Sequence, residues 1–347
     1  MSIKLSLIEL GAVGNGQTRV DAIKNIVETA QMAEEWGYNR IWLAEHHNTE
    51  NFISRAPEVI IPLVASNTSK IRVGSGSVLL NHYSPFKVAE VFTLLGDMFP
   101  GRIDMGIGRA TTGPVSDFAL QRNRSTQQRS DDSEEQLKEL LNWLTDGFDH
   151  RNIFSQVRAH HDGNNLPEFW LLGSSQWSAY TAGSLGLNYA FAGFINADQA
   201  YTISHKYRDN FSPGEHLLGS DRPRLMLSLN IYCADTLENA GKLAAPMMVM
   251  MQRMRQGDMN SPIETEENAT DILGGIPSRS VFTDSRIPPR YLIGTPDTIQ
   301  KDLTEIARAF DVEEIMVQCV SNNLTNRLKC LQLLAEAFKL NSLNKTF

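Results

Sequence analysis

Cysteine is scarce: three in 347 residues, at Cys233, Cys319 and Cys330. Three thiols so scattered make neither a disulfide framework nor a zinc-ligand motif, so a reducing compartment is expected and no metal site is. A basic excess is also missing. The 32 Lys and Arg stand against 40 Asp and Glu, a formal net charge of −8. No basic stripe runs along the chain, which argues against a nucleic-acid partner. Long apolar runs are absent too; a membrane span needs about 18 consecutive apolar residues. The opening MSIKLSLIEL is too short for a secretory leader, so neither membrane spanning nor secretion is expected and the protein reads as cytoplasmic. No repeat strong enough for a solenoid is present.

What is present is ordinary for a folded enzyme. Residues of the AVILMFWYC set make up 41%, and the 24 glycines bring the apolar share to about 48%. Short β-branched runs alternate with longer amphipathic segments, the pattern of a parallel sheet wrapped by helices. Strands are predicted at Ile3–Leu10, Arg40–Ala44, Ile71–Leu80, Arg102–Ile107, Phe169–Leu172, Tyr189–Ala192, Leu225–Cys233 and Glu314–Val320. Helices are predicted at Arg19–Trp36, Ala56–Asn67, Ser84–Met98, Asp131–Leu144, Trp177–Leu185, Ala197–Phe211, Leu237–Met254 and Asn326–Leu340. Gly37 is placed to end the first helix, and Pro57 to open the second. Eight strand–helix cycles without a long linker predict an α/β fold: a single (β/α)8 TIM barrel over residues 1–347. Two long insertion loops, Thr111–Ser130 and Gln256–Arg290, lie at its C-terminal face, and the second is expected to act as a mobile lid.

In such a barrel the chemistry sits just past the strands' C-terminal ends, and four stretches stand there. Ala44-Glu45-His46-His47-Asn48 carries two imidazoles, suited to general acid/base work; packing of one and solvation of the other is the alternative. Gly74-Ser75-Gly76-Ser77 admits either a flat ligand or a bulge. Gly106-Ile107-Gly108-Arg109 offers a guanidinium for a phosphate, with a structural ion pair as the alternative. Gly173-Ser174-Ser175-Gln176-Trp177-Ser178 opens a helix whose N–H groups and hydroxyls suit an anion; a serine helix cap with no ligand explains it equally. The run Pro246-Met247-Met248-Val249-Met250-Met251 suits an adaptable pocket wall.

These stretches, with Trp36–His47, Ile71–Leu80, Tyr83-Ser84-Pro85, Pro100–Arg109, Ile293-Gly294-Thr295-Pro296 and Glu313–Val317, resemble in sequence order the bacterial luciferase-like flavin-dependent monooxygenases. The resemblance spans nearly the whole chain and is weakest in the two long loops. It implies an FMN-dependent monooxygenase that receives reduced FMN from a separate flavin reductase, uses molecular oxygen and forms a homodimer. It implies that His46 is the active-site histidine. Gly76 and Ser77 match a dipeptide under the flavin ring, often joined by a non-proline cis bond. Gly108 and Arg109 match the cofactor site, and Gly173, Ser174, Ser175 and Ser178 match the phosphate segment. Gly108 stands where the luciferase pattern has a cysteine, so thiol-tuned flavin chemistry is not expected. Arg122, Arg124 and Arg129 are candidates for a second phosphate arginine. Phe52 and the methionine run suggest a small, apolar substrate. A deazaflavin-dependent dehydrogenase or reductase of the same fold, or a non-catalytic flavin-binding relative, are the alternatives.

Overall fold

Eight parallel strands close on themselves. The computed structural model describes residues 3–120, 131–159, 164–214 and 218–340, and Arg122, Arg124 and Arg129 lie outside them. The strands are β1 (Lys4–Glu9), β2 (Arg40–Leu43), β3 (Arg72–Ser75), β4 (Val78–Leu79), β5 (Ile103–Gly108), β6 (Glu168–Gly173), β7 (Asn188–Ala192), β8 (Leu225–Cys233), β9 (Tyr291–Gly294) and β10 (Glu314–Gln318). Pairing runs β1-β2-β3-β5-β6-β7-β8, and β10 bridges β8 back to β1, as in Ser6 opposite Met316 and Met316 opposite Ser228. The predicted barrel is therefore present.

Two expectations need correction. The predicted strand Ile71–Leu80 is two strands, β3 ending at Ser75 and β4 resuming at Val78; between them the Gly76-Ser77 peptide bond is cis, as the resemblance implies. A further strand and helix, β9 and Pro296–Phe310, stand between the predicted seventh and eighth strands. β9 extends the sheet beside the upper half of β8, so that Asn230 pairs with Gln318 on one side and Tyr291 on the other. The cysteines, far apart in sequence, meet in space. The sulfurs of Cys319 and Cys330 are 3.9 Å apart, the Cys233 amide donates to the Cys330 sulfur at 3.2 Å, and all three thiols are buried and free.

The helices are α1 (Arg19–Trp36), α2 (Pro57–Ser66), α3 (Pro85–Met98), α4 (Pro114–Leu120), α5 (Ser133–Thr145), α6 (Gln176–Ser184), α7 (Ala200–Asp209), α8 (Leu237–Arg255), α9 (Glu266–Leu273), α10 (Pro296–Phe310) and α11 (Leu324–Phe338). Local chemistry sets their ends. Thr18 and Asp21 form a reciprocal capping box at the start of α1, and Gly37 ends it at φ +87°. Pro57, Pro85 and Pro296 each sit in a first turn, where the missing N–H costs nothing. Both long loops hold a helix, α4 in the first and α9 in the second. α9 lays Ala269 and Leu273 against Ala245 and Val249 of α8. The second loop is also tied to the barrel rim, through Asn15 N–H to Ile263 C=O and Thr49 Oγ1 to Met259 C=O, both at 2.9 Å.

Charge fills the end of the barrel where the strands begin. Buried Arg40 donates to Asp104 at 2.7 Å, to Glu314 at 2.8 Å and to Glu168 at 3.2 Å. Arg72 reaches the other Asp104 oxygen at 2.5 Å, and Arg224 reaches Glu168 at 3.0 Å. The Trp42 indole donates to Asp104 and the Trp170 indole to Glu168. Three guanidiniums thus balance three carboxylates, which is how burial of so many charges is tolerated. The opposite end holds the cavity.

Candidate active site

A cavity of about 430 Å³ opens at the C-terminal ends of the strands. His46, Gly76, Ser77, Gly108, Arg109, Gly173 and Ser174 all line it, so seven of the nine predicted site residues meet there. The other two, Ser175 and Ser178, do not. Ser175 caps α6, accepting the Ser178 amide at 3.3 Å, while the Ser178 hydroxyl donates to the Ser175 carbonyl at 2.9 Å and meets the Tyr189 hydroxyl at 3.0 Å. Their side chains are spent on the helix cap that the sequence offered as the alternative.

His46 follows β2 on a short loop held by its own amide, which donates to Ser54 C=O at 2.8 Å, and by Ser54 Oγ bonding back to Ala44 C=O. Its ring packs on Phe52, centroids 4.9 Å apart. Its Nδ1 is buried and has no hydrogen-bond partner among the described residues. Burial pushes the imidazole down to about 4, against the pull of the Glu45 carboxylate, so the ring is neutral at pH 7. The adjacent His47 goes elsewhere, pairing through Nε2 with Glu45 at 2.6 Å. Glu45 also accepts from the Tyr83 hydroxyl at 2.7 Å and from the Leu79 amide at 2.9 Å. That carboxylate is a strut joining the ends of β2 and β4.

Three glycines keep the cavity floor thin. A Cβ at Gly76 would come within 2.5 Å of Ile8, one at Gly108 within 2.2 Å of the Ser77 hydroxyl, and one at Gly173 within 2.4 Å of the Ser178 hydroxyl. A cysteine at position 108 would therefore crowd Ser77. Arg109 emerges just past β5, stacks over Trp177 at 4.5 Å and pairs with the exposed Asp131. It has both the ion pair and the place on the cavity wall. Asn196 donates to the Ser174 carbonyl at 3.0 Å and steadies that loop.

Much of the remaining lining is apolar. Met247, Met250, Met251 and Met254 of α8 line it together with Phe52, Phe194 and Ile195. Within the described part of the second long loop, Arg290 alone lines the cavity. The sequence reading missed Asn230, Gln318, Arg290 and Tyr291. The first two could have been found as polar residues interrupting the apolar strands LMLSLNIYC and EIMVQ. Arg290, one of several loop arginines, carries no such signal.

The buried, unpartnered His46 Nδ1, the Arg109 cation and the glycine-thinned floor suit a flat, anionic cofactor such as FMN. The model of the family described as luciferase-like monooxygenase matches residues 4–312. A luciferase-like monooxygenase of Escherichia coli (strain K12) is 35% identical over 321 residues, covering 91% of each chain. The N-acetyl-S-alkylcysteine monooxygenase of Bacillus subtilis (strain 168) is 32% identical over 342 residues, covering 96% of this chain and 98% of that one. The crystal structure of apo-MsnO8 superposes with a TM-score of 0.87 at 36% identity, covering 97% of this chain and 99% of that one. The chain belongs to the bacterial luciferase-like flavin monooxygenases and is an FMN-dependent enzyme that uses reduced flavin and molecular oxygen on a small substrate.

Proposed function

We propose that this cavity binds FMN: Arg109 and the Ser174 end of the β6–α6 loop would hold its phosphate, Gly76, Ser77, Gly108 and Gly173 would leave room for its ring, and His46 would serve its proton transfers. The observation that supports this most is the convergence of those residues on one cavity with an unpartnered imidazole nitrogen in its wall. Reduced FMN, when bound, supplies the electrons that activate oxygen. The chain's own residues do the rest. A guanidinium offers a fork of N–H donors that matches phosphate geometry, and the N-terminus of α6 adds partial positive charge. A neutral imidazole has one donor and one acceptor nitrogen, so His46 offers Nδ1 to a bound group as a hydrogen-bond donor in one tautomer, and in the other as an acceptor that takes up a proton and can return it. The methionine wall excludes water and receives the apolar part of the substrate. Ser175 and Ser178 serve by shaping the helix end. The loop 256–290 covers the mouth as a lid.

A separate flavin reductase as the source of reduced FMN, a homodimer and a cytoplasmic location complete the proposal. Among the described residues no helix is long and apolar enough to cross a membrane. The test is oxygen uptake with chemically reduced FMN and an N-acetyl-S-alkylcysteine as the first compound tried, with labelled oxygen followed into the product. Arg109→Ala is expected to weaken FMN binding by roughly ten- to a hundredfold, the scale of lost charge-assisted hydrogen bonds. Unchanged affinity in a flavin-fluorescence titration removes Arg109 from the phosphate site.

A further inference from the structure

Arginines near the cavity differ in how their charge is met. In and around the second long loop, Arg253 pairs with Glu264 at 2.7 Å, Arg279 with Asp302 at 2.9 Å and Arg286 with Asp284 at 2.8 Å. Arg290 lines the cavity and has no carboxylate partner among the described residues. Its place is fixed through the backbone. Asn230 of β8 donates to the Arg290 carbonyl at 3.0 Å, and Asn230 is itself held by Gln318 of β10 at 3.0 Å.

The surroundings do not neutralise it. The carboxylate on the cavity wall, Glu45, stands across the barrel at the end of β2 and is engaged by His47, Tyr83 and the Leu79 amide. On the elements beside Arg290, β9 with β8 and α8 packed against it, the residues lining the cavity are Tyr291, Asn230 and the α8 methionines, with Gln318 of β10 bonded to Asn230. A partly buried cation beside apolar groups has lost hydration that no protein anion replaces, so a ligand anion gains there. Arg109 is not part of that corner: it follows β5, and β6 and β7 separate it from β8 in the closed sheet.

We propose that Arg290 is a specificity-determining residue which receives the carboxylate of a substrate whose apolar body lies along the α8 methionines. The inference deepens the functional reading above and rests on it for the placement of cofactor and substrate in one cavity. It sharpens the substrate class from apolar to amphipathic: a small organic acid with an apolar portion, its reacting atom held between the acid group at Arg290 and the flavin side of the cavity.

The test compares octanoate with octanamide, alike in shape and different in charge, by calorimetry on the full-length protein with and without oxidised FMN. Octanoate is expected to bind roughly tenfold tighter or better, the scale of one charge-assisted hydrogen bond. Arg290→Ala is expected to bring the two ligands to parity, and Arg290→Lys to keep part of the preference because a point charge remains. Unchanged thermal unfolding of both variants checks that the fold is intact, and the lysine variant serves should the alanine variant fold poorly. Equal binding of acid and amide by the wild type, no binding of octanoate, or a preference that survives Arg290→Ala overturns the proposal. So does an octanoate site abolished by FMN, with FMN affinity itself falling on Arg290→Ala, because Arg290 is then a cofactor-phosphate ligand. Failure of FMN to bind while the octanoate preference persists instead overturns the cofactor assignment and leaves Arg290 an acid-binding residue.

Discussion

At His46 two effects oppose each other: loss of hydration drives the proton off, and the neighbouring carboxylate of Glu45 draws it back. Hydration loss wins, and the imidazole titrates near 4 in place of 6.5. The folded chain therefore disfavours the charged ring. The stability that follows is complete above pH 6.5 and is lost as the pH falls through about 4, because the unfolded chain takes up the proton first. Replacing His46 with Gln is expected to flatten the pH dependence of denaturant unfolding between those values, and an unchanged slope would contradict the assignment. His46→Ala is expected to leave FMN affinity nearly intact while peroxide release rises at the expense of oxygenated product; coupling equal to wild type excludes a proton-handling role. Residue types at strand ends made most of this site legible beforehand, since position in a barrel selects His46, Gly76, Gly108 and Arg109. Partners were not legible. Nothing in the letters says that His47 turns to Glu45, or that Ser178 spends its hydroxyl on a cap and on Tyr189.

Elements were legible where a local signal marks their ends. The helix Arg19–Trp36 has the predicted boundaries because Thr18, Asp21 and Gly37 supply both caps within the local sequence. The cis bond at Gly76-Ser77 was legible through the family resemblance and not through hydrophobic pattern, and the short strand β9 depends on what lies beside it in space, where the sequence pattern gave out. The close approach of α8 to the second long loop is of the same kind. A Cβ on Gly241 would stand 2.1 Å from the Pro277 carbonyl oxygen and 2.7 Å from Ile276 Cγ2. Gly241→Ala must push that segment outward, at a cost of about 1–3 kcal/mol for overpacking. Since α8 carries the methionine wall and the segment continues to Arg290, the variant is expected to unfold at lower temperature and also to bind octanoate more weakly. A wild-type melting temperature would show that the contact relaxes without cost.

For the molecule as a whole, the ion cluster at the strand starts matters more than any single cap. Asp104 accepts from Arg40, Arg72 and Trp42. Asp104→Ala leaves buried guanidinium charge uncompensated, a change that costs about 3–5 kcal/mol, measurable as a fall in the denaturant midpoint. Glu168 supplies the pH dependence. Burial alone would raise its pKa, but Arg40, Arg224 and Arg72 outweigh burial and hold it down to about 2. Its contribution is complete above the ordinary 4.5 and is lost as the pH falls toward 2. Glu168→Gln is expected to be less stable at pH 7 and to lose less stability on acidification over that window; parallel curves for variant and wild type would refute it. The cluster escaped the sequence reading because its members are spread from β2 to β10, each an unremarkable charged residue at or just before the start of a strand.

That spread has a consequence for how the chain is made. Arg40 belongs to the second strand, yet its partner Glu314 is 274 residues further on, and β1 acquires one of its two neighbours only when β10 exists. During synthesis from the N-terminus, the early strands can pair with one another while the barrel stays open and a guanidinium awaits its counter-charge. Closure is thus reserved for a nearly finished chain. Loop entropy must be spent before these distant contacts return anything. Interrupted synthesis ahead of β10 leaves an open sheet with two free edges, a substrate for chaperones and proteases.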